Sequence, residues 1–223
     1  MNTAKRLIVV SPFPEQICLA AACRKDWDEI VVGGSVLVES LFQAIAGQPA
    51  CRKVIVLLPK INDSTAVRVR LEAMGRAGIN VRWFASTGSS ALAAACRNLP
   101  NVSLETGTTL KDAVAAAYPE LLATDSPLKR IDDGDRDLED WLRYRCSLCL
   151  MSDLDAKPLR SACDHLAKGG NVQAPADDKN SIARFREAEF PYIEGHSDIL
   201  RYLRRRIRQV GATDLSVLVL GET

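Results

Sequence analysis

The chain has 223 residues, of which 47% are hydrophobic and 26% charged, with a formal net charge of +1. That balance suits a globular fold and excludes a strong overall pull toward nucleic acid or an anionic membrane. No apolar run reaches the roughly 18 residues of a membrane span, and the apolar stretch after Arg6 is too short for the core of a signal peptide.

Taken in chain order, Leu7-Ile8-Val9-Val10 is a continuous apolar run, the pattern of a strand buried on both faces. Ile17 to Cys23 predicts an Ala-rich helix. Glu29-Ile30-Val31-Val32 predicts the second strand, broken by Gly33-Gly34-Ser35. Leu37, Leu41, Phe42 and Ile45 give a helical face that stops at Gly47 and Pro49. Val54 to Leu58 is the third strand, and a helix from about Ser64 points Val67, Leu71 and Met74 inward before ending near Gly78. Val81 to Phe84 is the fourth strand, followed by Ser86-Thr87-Gly88-Ser89-Ser90 and a helix to Cys96. Asn101 to Leu104 is the fifth, followed by Thr106-Gly107-Thr108-Thr109 and a helix from Leu110 to Tyr118. Strands alternating with helices imply a parallel sheet with right-handed crossovers, so the expected class is α/β, a Rossmann-like doubly wound parallel sheet of about five strands.

Three parts are expected: this domain over 1–123, a linker and helical segment over 124–189, and a terminal stretch over 190–223. Thr124 to Asp137 is rich in Asp, Gly, Ser and Pro and reads as a linker or acidic loop without the ligand spacing of an EF-hand. Helices are predicted over Leu138–Met151 and Pro158–Lys168, closed by Gly169-Gly170, with a polar stretch from Gln173 to Asn180.

Ligands of open parallel sheets bind beyond the carboxyl ends of the strands. The candidates there are Ser11, Gly33, Gly34, Ser35, Thr87, Gly88, Ser89, Ser90, Thr106 and Gly107. Small hydroxyl-rich turns at helix starts supply N–H donors and the positive dipole end that phosphate favours. Ser and Thr also serve simply as helix N-caps. The strand ends carry neither His nor paired carboxylates, so acid–base machinery is lacking and no catalytic residue is assigned. A receiver domain has the same alternation, but it needs acidic residues after its first strand and an Asp ending its third. Here those places hold Ser11-Pro12 and Leu58-Pro59-Lys60.

The seven cysteines are odd in number and fall mostly in apolar periodic segments, as reduced cytosolic thiols do; a cytoplasmic location is expected. Cys146, Cys149, Cys163 and His165 could be counted as a zinc set, but their helical spacing suits a core face, and no metal is expected. Gly169-Gly170 between helices faintly resembles a helix-turn-helix; Pro175, Asp177 and Asp178 in its second helix are poorly suited to facing phosphate. The arginines at 201, 204, 205, 206 and 208 surround a buried face of Leu200, Leu203, Ile207 and Val210.

The last stretch carries a resemblance. Ile193-Glu194-Gly195-His196-Ser197, the Arg-rich helix, and Val210-Gly211-Ala212-Thr213-Asp214 leading through Val217-Leu218-Val219-Leu220 to Gly221-Glu222-Thr223 resemble the opening of the AAA+ domain of sigma-54-dependent transcriptional activators. Gly221-Glu222-Thr223 matches the first three residues of a P-loop, without its Lys. The turns at Ser11-Pro12 and Thr87-Gly88-Ser89 are similar to those of CARF-type sensory domains, although Ser90-Ala91 stands where those domains carry Lys or Gln. The resemblance implies an incomplete nucleotide-binding set of Ile193, Gly195, Gly221, Glu222 and Thr223. It implies a ligand-sensing domain controlling an ATPase that remodels RNA polymerase, with no cofactor of its own and ATP and magnesium expected for the complete parent. The implied partners are a small-molecule or nucleotide- or RNA-derived ligand, the AAA+ domain of the same parent chain, sigma-54 RNA polymerase through that parent, and further copies in a homo-oligomer, with no membrane. The other reading is a nucleotide- or RNA-processing enzyme with a Rossmann-like fold.

Overall fold

The computed structural model describes residues 5–25, 28–33, 38–48, 50–58, 61, 63–123, 126–152, 154–167, 178 and 182. Five strands, β1 (Lys5–Val10), β2 (Glu29–Val32), β3 (Cys51–Val56), β4 (Asn80–Ser86) and β5 (Val102–Gly107), form one sheet in the order β2-β1-β3-β4-β5. Every pairing is parallel; Ile8 aligns with Ile30 on one side and Ile55 on the other, and Phe84 aligns with Glu105. Between the strands run α1 (Pro14–Cys23), α2 (Val38–Ala46), α3 (Ser64–Arg76) and α4 (Ser90–Cys96). After β5 come α5 (Leu110–Ala117), a short 3-10 turn (Pro119–Leu122), α6 (Pro127–Asp132), α7 (Arg136–Met151) and α8 (Lys157–Ala167). This is the expected Rossmann-like α/β sheet.

Alternation of side chains along each strand divides the core in two. Leu7, Val9, Val54, Val56, Val81 and Trp83 face α2, α3 and α4, burying Phe42, Leu71 and Met74. Trp83 meets Phe42 edge to face at 5.6 Å, and its indole N–H donates to the Leu58 carbonyl at 3.0 Å. On the other face, Ile8, Val10, Ile30, Ile55 and Phe84 pack with α1 and α5. That second core continues outward into Leu128 of α6, Trp141, Leu142, Cys146 and Cys149 of α7, and Leu159, Cys163 and Leu166 of α8. Helix α1 thus lies between the sheet and a further helical layer. Seven of its ten residues are buried, Gln16, Ile17, Cys18, Leu19, Ala20, Ala21 and Cys23. A helix apolar over most of its surface is one that is covered over most of it.

The acidic stretch read as a linker holds a helix. Ser126 caps α6 by accepting from the Lys129 N–H at 3.2 Å, and Pro127 takes the first helical position, where its missing N–H costs nothing. Asp135 caps α7 in turn, accepting from the Leu138 N–H at 3.0 Å. Farther along, Asp178 accepts from the Trp141 indole at 2.9 Å and from Arg145 at 2.6 Å, and Ile182 is buried in the same core. Among the described residues no helix is long and apolar enough to cross a membrane.

Gly107 ends β5 beneath the first turn of α5. A Cβ there would lie 2.9 Å from the Asp112 carbonyl carbon and closer still to the Ala113 nitrogen, both backbone atoms. Gly88 has nothing within 4 Å of such a Cβ. Gly107→Ala is therefore expected to lose about 1–3 kcal/mol in urea unfolding through overpacking, whereas Gly88→Ala should stay within about 0.5 kcal/mol.

Candidate functional site

All five strands point the same way, so their carboxyl ends share one edge. There the chain leaves β1 for α1 on one face and β3 for α3 on the other, which opens the crevice where ligands of such sheets bind. Ser11 sits at this switch point, only 7% exposed. Its N–H donates to Gln16 Oε1 at 2.7 Å and its carbonyl accepts from the Phe13 N–H at 2.8 Å. Gln16, itself 5% exposed, pins the turn from the third position of α1. The one sequence signal for it is a Gln at N3, reaching back beyond the cap as the second arm of a capping box does.

The other candidates divide. Gly33 is buried, its N–H donates to the Val10 carbonyl at 2.8 Å, and a Cβ there would meet Val9 Cγ1 at 2.9 Å, so the position serves close packing. Gly34 and Ser35 lie outside the described residues, as do Ile193, Gly195, Gly221, Glu222 and Thr223 and the arginines from 201 to 208. Thr106 and Gly107 are the last two residues of β5, paired with Ala85 and Ser86. The hydroxyl-rich turn after that strand is spent on capping. Thr109 accepts from the Asp112 N–H at 3.1 Å while Asp112 accepts from the Thr109 N–H at 2.9 Å.

The turn after β4 is different. Ser89 makes no capping bond to α4, and the hydroxyls of exposed Thr87 and Ser90 and half-buried Ser89 have no partner among the described residues. Three of the turn's N–H groups are already committed: Thr87 to the Gly107 carbonyl at 2.8 Å, Ser89 to Ser86 at 3.3 Å and Ser90 to Gly88 at 3.1 Å. A phosphate there would meet hydroxyls more than free amides.

Folding also gathers charges that no local pattern marks. Glu15 in the first turn of α1, Lys111 in the first turn of α5 and Asp132 at the end of α6 come together beside the same edge. Lys111 is paired with Asp132. Glu15 keeps an exposed surface but stands in crowded protein, and this desolvation holds its carboxyl above the usual range, against the pull of Lys111 and with the push of Asp132. Two carboxylates thus stand at the edge, Glu15 from the first turn of α1 and Asp132 from the end of α6, rather than at the strand ends.

Cys18, Cys146, Cys149 and Cys163 line the contact of α1 with α7 and α8, every one buried. The Cys163 thiol donates to the Ile17 carbonyl at 3.7 Å, and the His165 ring packs edge-on against Trp141 at 5.1 Å. Among the described residues no group of three or more His, Cys, Asp or Glu side chains is placed to hold a metal. Burial is the leading cause that pushes the thiols of Cys23 and Cys163 up to about 12 and that of Cys96 up to about 11.

No protein-family model matches the chain, and no curated protein matches it in sequence. Fold and edge define a class only: an all-parallel Rossmann-like α/β domain whose first helix is roofed by further helices.

A thiol whose folded pKa exceeds its unfolded value stabilises the fold fully below about pH 8.5 and ceases to do so as pH climbs through the folded pKa. Unfolding free energy measured against pH is therefore expected to be level near pH 7–8 and to fall between about pH 9 and 12.

Proposed function

We propose that the chain is a ligand-sensing regulatory module of a sigma-54-dependent transcriptional regulator, binding a small-molecule or nucleotide- or RNA-derived ligand at the carboxyl edge. The observation that carries the sensing half of this reading is the placement of α1. It begins three residues after Ser11, at the switch point, and ends in contact with α8, where Arg24 pairs with Asp164 and also donates to the Arg160 carbonyl at 3.5 Å. A ligand that shifted the Ser11 turn would move a helix that is largely buried against α7 and α8, and the displacement would pass to them because interiors are close-packed. The output half rests on the sequence over 190–223 alone. In this reading ATP and magnesium belong to the complete parent, the AAA+ domain and sigma-54 RNA polymerase are its partners, the protein acts in the cytoplasm as a homo-oligomer, and the sensory domain is CARF-like.

A second reading has its own support. Glu15 beside Lys111 and Asp132 is a carboxyl with a raised pKa at a ligand-binding edge, the arrangement expected of a general acid. That favours a nucleotide- or RNA-processing enzyme.

Thermal shift against nucleotides and short RNA fragments tests both. A sensor should gain stability with a hit and release it unchanged. Ser11→Trp, filling the switch point, or Ser89→Ala with Thr87→Ala, stripping the β4 turn, should weaken that hit at least tenfold. Glu15→Gln should leave binding by a sensor within about threefold, but lower turnover by an enzyme about 100-fold or more. Failure of every nucleotide and RNA fragment to shift the melting temperature would remove the sensing proposal.

A further inference from the structure

The opposite, amino edge of the sheet carries a second feature. On the face shared with α1 and α5, a notch of about 250 Å³ is lined by Lys53, Asn80, Arg82, Pro100, Asn101 and Ser103, with the backbone at Val81 and Val102 between them. Its polar floor follows from the register. Lys53 aligns with Arg6 on β1 and Asn80 on β4, and Arg82 aligns with Ser103 on β5, so these side chains share one face.

The two arginines beside Lys53 each turn to a carboxylate of their own. Arg6 pairs with the fully buried Asp28 next to β2 and also donates to the Cys23 carbonyl at 2.8 Å. Arg82 grips Glu105 on β5 through Nε and Nη2, the latter at 2.8 Å, and lies over the rings of Phe84 at 4.9 Å and Tyr118 at 5.6 Å. The Lys53 side chain between them is exposed and has neither a hydrogen-bond nor an ion-pair partner among the described residues. Among the described residues Arg82 Nη1, the Asn80 amide and the Ser103 hydroxyl have no hydrogen-bond partner either. No carboxylate lines the notch. Lys53 stands directly opposite Arg6, a like-charge placement that strand pairing does not favour.

We propose that this amino-edge notch binds the phosphoryl group of a small phosphorylated ligand. Lys53 is its principal cation, Arg82 Nη1 a second, fixed donor, and Asn80 and Ser103 its neutral donors. Arg82 is held rigid by Glu105 and two aromatic rings, so little side-chain freedom remains to be lost when a ligand arrives. The notch is smaller than a typical pocket for a drug-sized ligand, which suits a phosphoryl group with a sugar-sized remainder. The proposal stands apart from the sensing role of the carboxyl edge.

The test uses the full chain at low salt. Binding is followed through amide shifts in NMR spectra, with AMP and ribose 5-phosphate as probes and adenosine and ribose as their uncharged counterparts. Expected are saturable shifts clustered at residues 53, 80, 82 and 103 with both phosphates and none there with the uncharged pair. Lys53→Gln should weaken binding at least tenfold while melting at or above the wild-type temperature, and Ser103→Ala should weaken it severalfold. Ser11→Trp should leave this site intact, which separates its failure from failure of the sensing proposal. Equal binding by Lys53→Gln, equal shifts with adenosine, or no shift at these residues at millimolar phosphate would overturn the inference.

Discussion

The structure depends on the burial of α1, seven of whose ten residues are covered. A sheet with helices on both faces normally leaves each helix one wet side, but α1 has the sheet beneath it and α7 and α8 above it. Its composition makes this possible. Ala20, Ala21 and Ala22 keep the helix thin, Cys18 and Cys23 fill small gaps without large polar groups, and Ile17 and Leu19 supply the bulk. The one buried polar side chain, Gln16, has its carbonyl taken by the Ser11 N–H, as a buried amide requires. The same helix therefore closes the core and fixes the turn at the switch point.

Charge is distributed unevenly around this core. Buried or half-buried arginines are nearly all paired: Arg6 with Asp28, Arg24 with Asp164, Arg145 with Asp178, Arg160 with Glu29. Each joins segments distant in sequence, and the last three fasten the helical layer to itself or to the sheet domain. Such pairs add little net stability, but breaking one strands a charge, so they favour one arrangement of α1, α7 and α8 over slipped alternatives. Among the described residues the spare groups at the carboxyl edge are hydroxyls, and those at the amino edge include a lysine and one guanidinium nitrogen.

Much of the fold was legible because the sheet is parallel and buried. Leu7–Val10 and Ile30–Val32 are unbroken apolar runs, and α3 shows a clear inward stripe at Val67, Leu71 and Met74. α6 was not legible, since Asp132, Asp133, Gly134 and Asp135 mask a Ser-Pro helix start. Covering of α1 was not legible either: periodicity tells which residues avoid water, not which element shields them. The sites were harder. Gly107 looks like part of a ligand turn in sequence and is a packing contact in space. Glu15, Lys111 and Asp132 belong to three separate helices, so only tertiary structure brings them together.

The burial of α1 also bears on time. The backbone amides of its buried stretch from Ile17 to Ala21 have little access to solvent, so their hydrogens can leave only when α7 and α8 lift from the sheet or the whole domain opens. Exchange as slow as global unfolding would make sheet and helical layer a single cooperative unit. Faster exchange, confined to α1, α7 and α8, would mark that layer as a separately opening part and give the free energy of its opening.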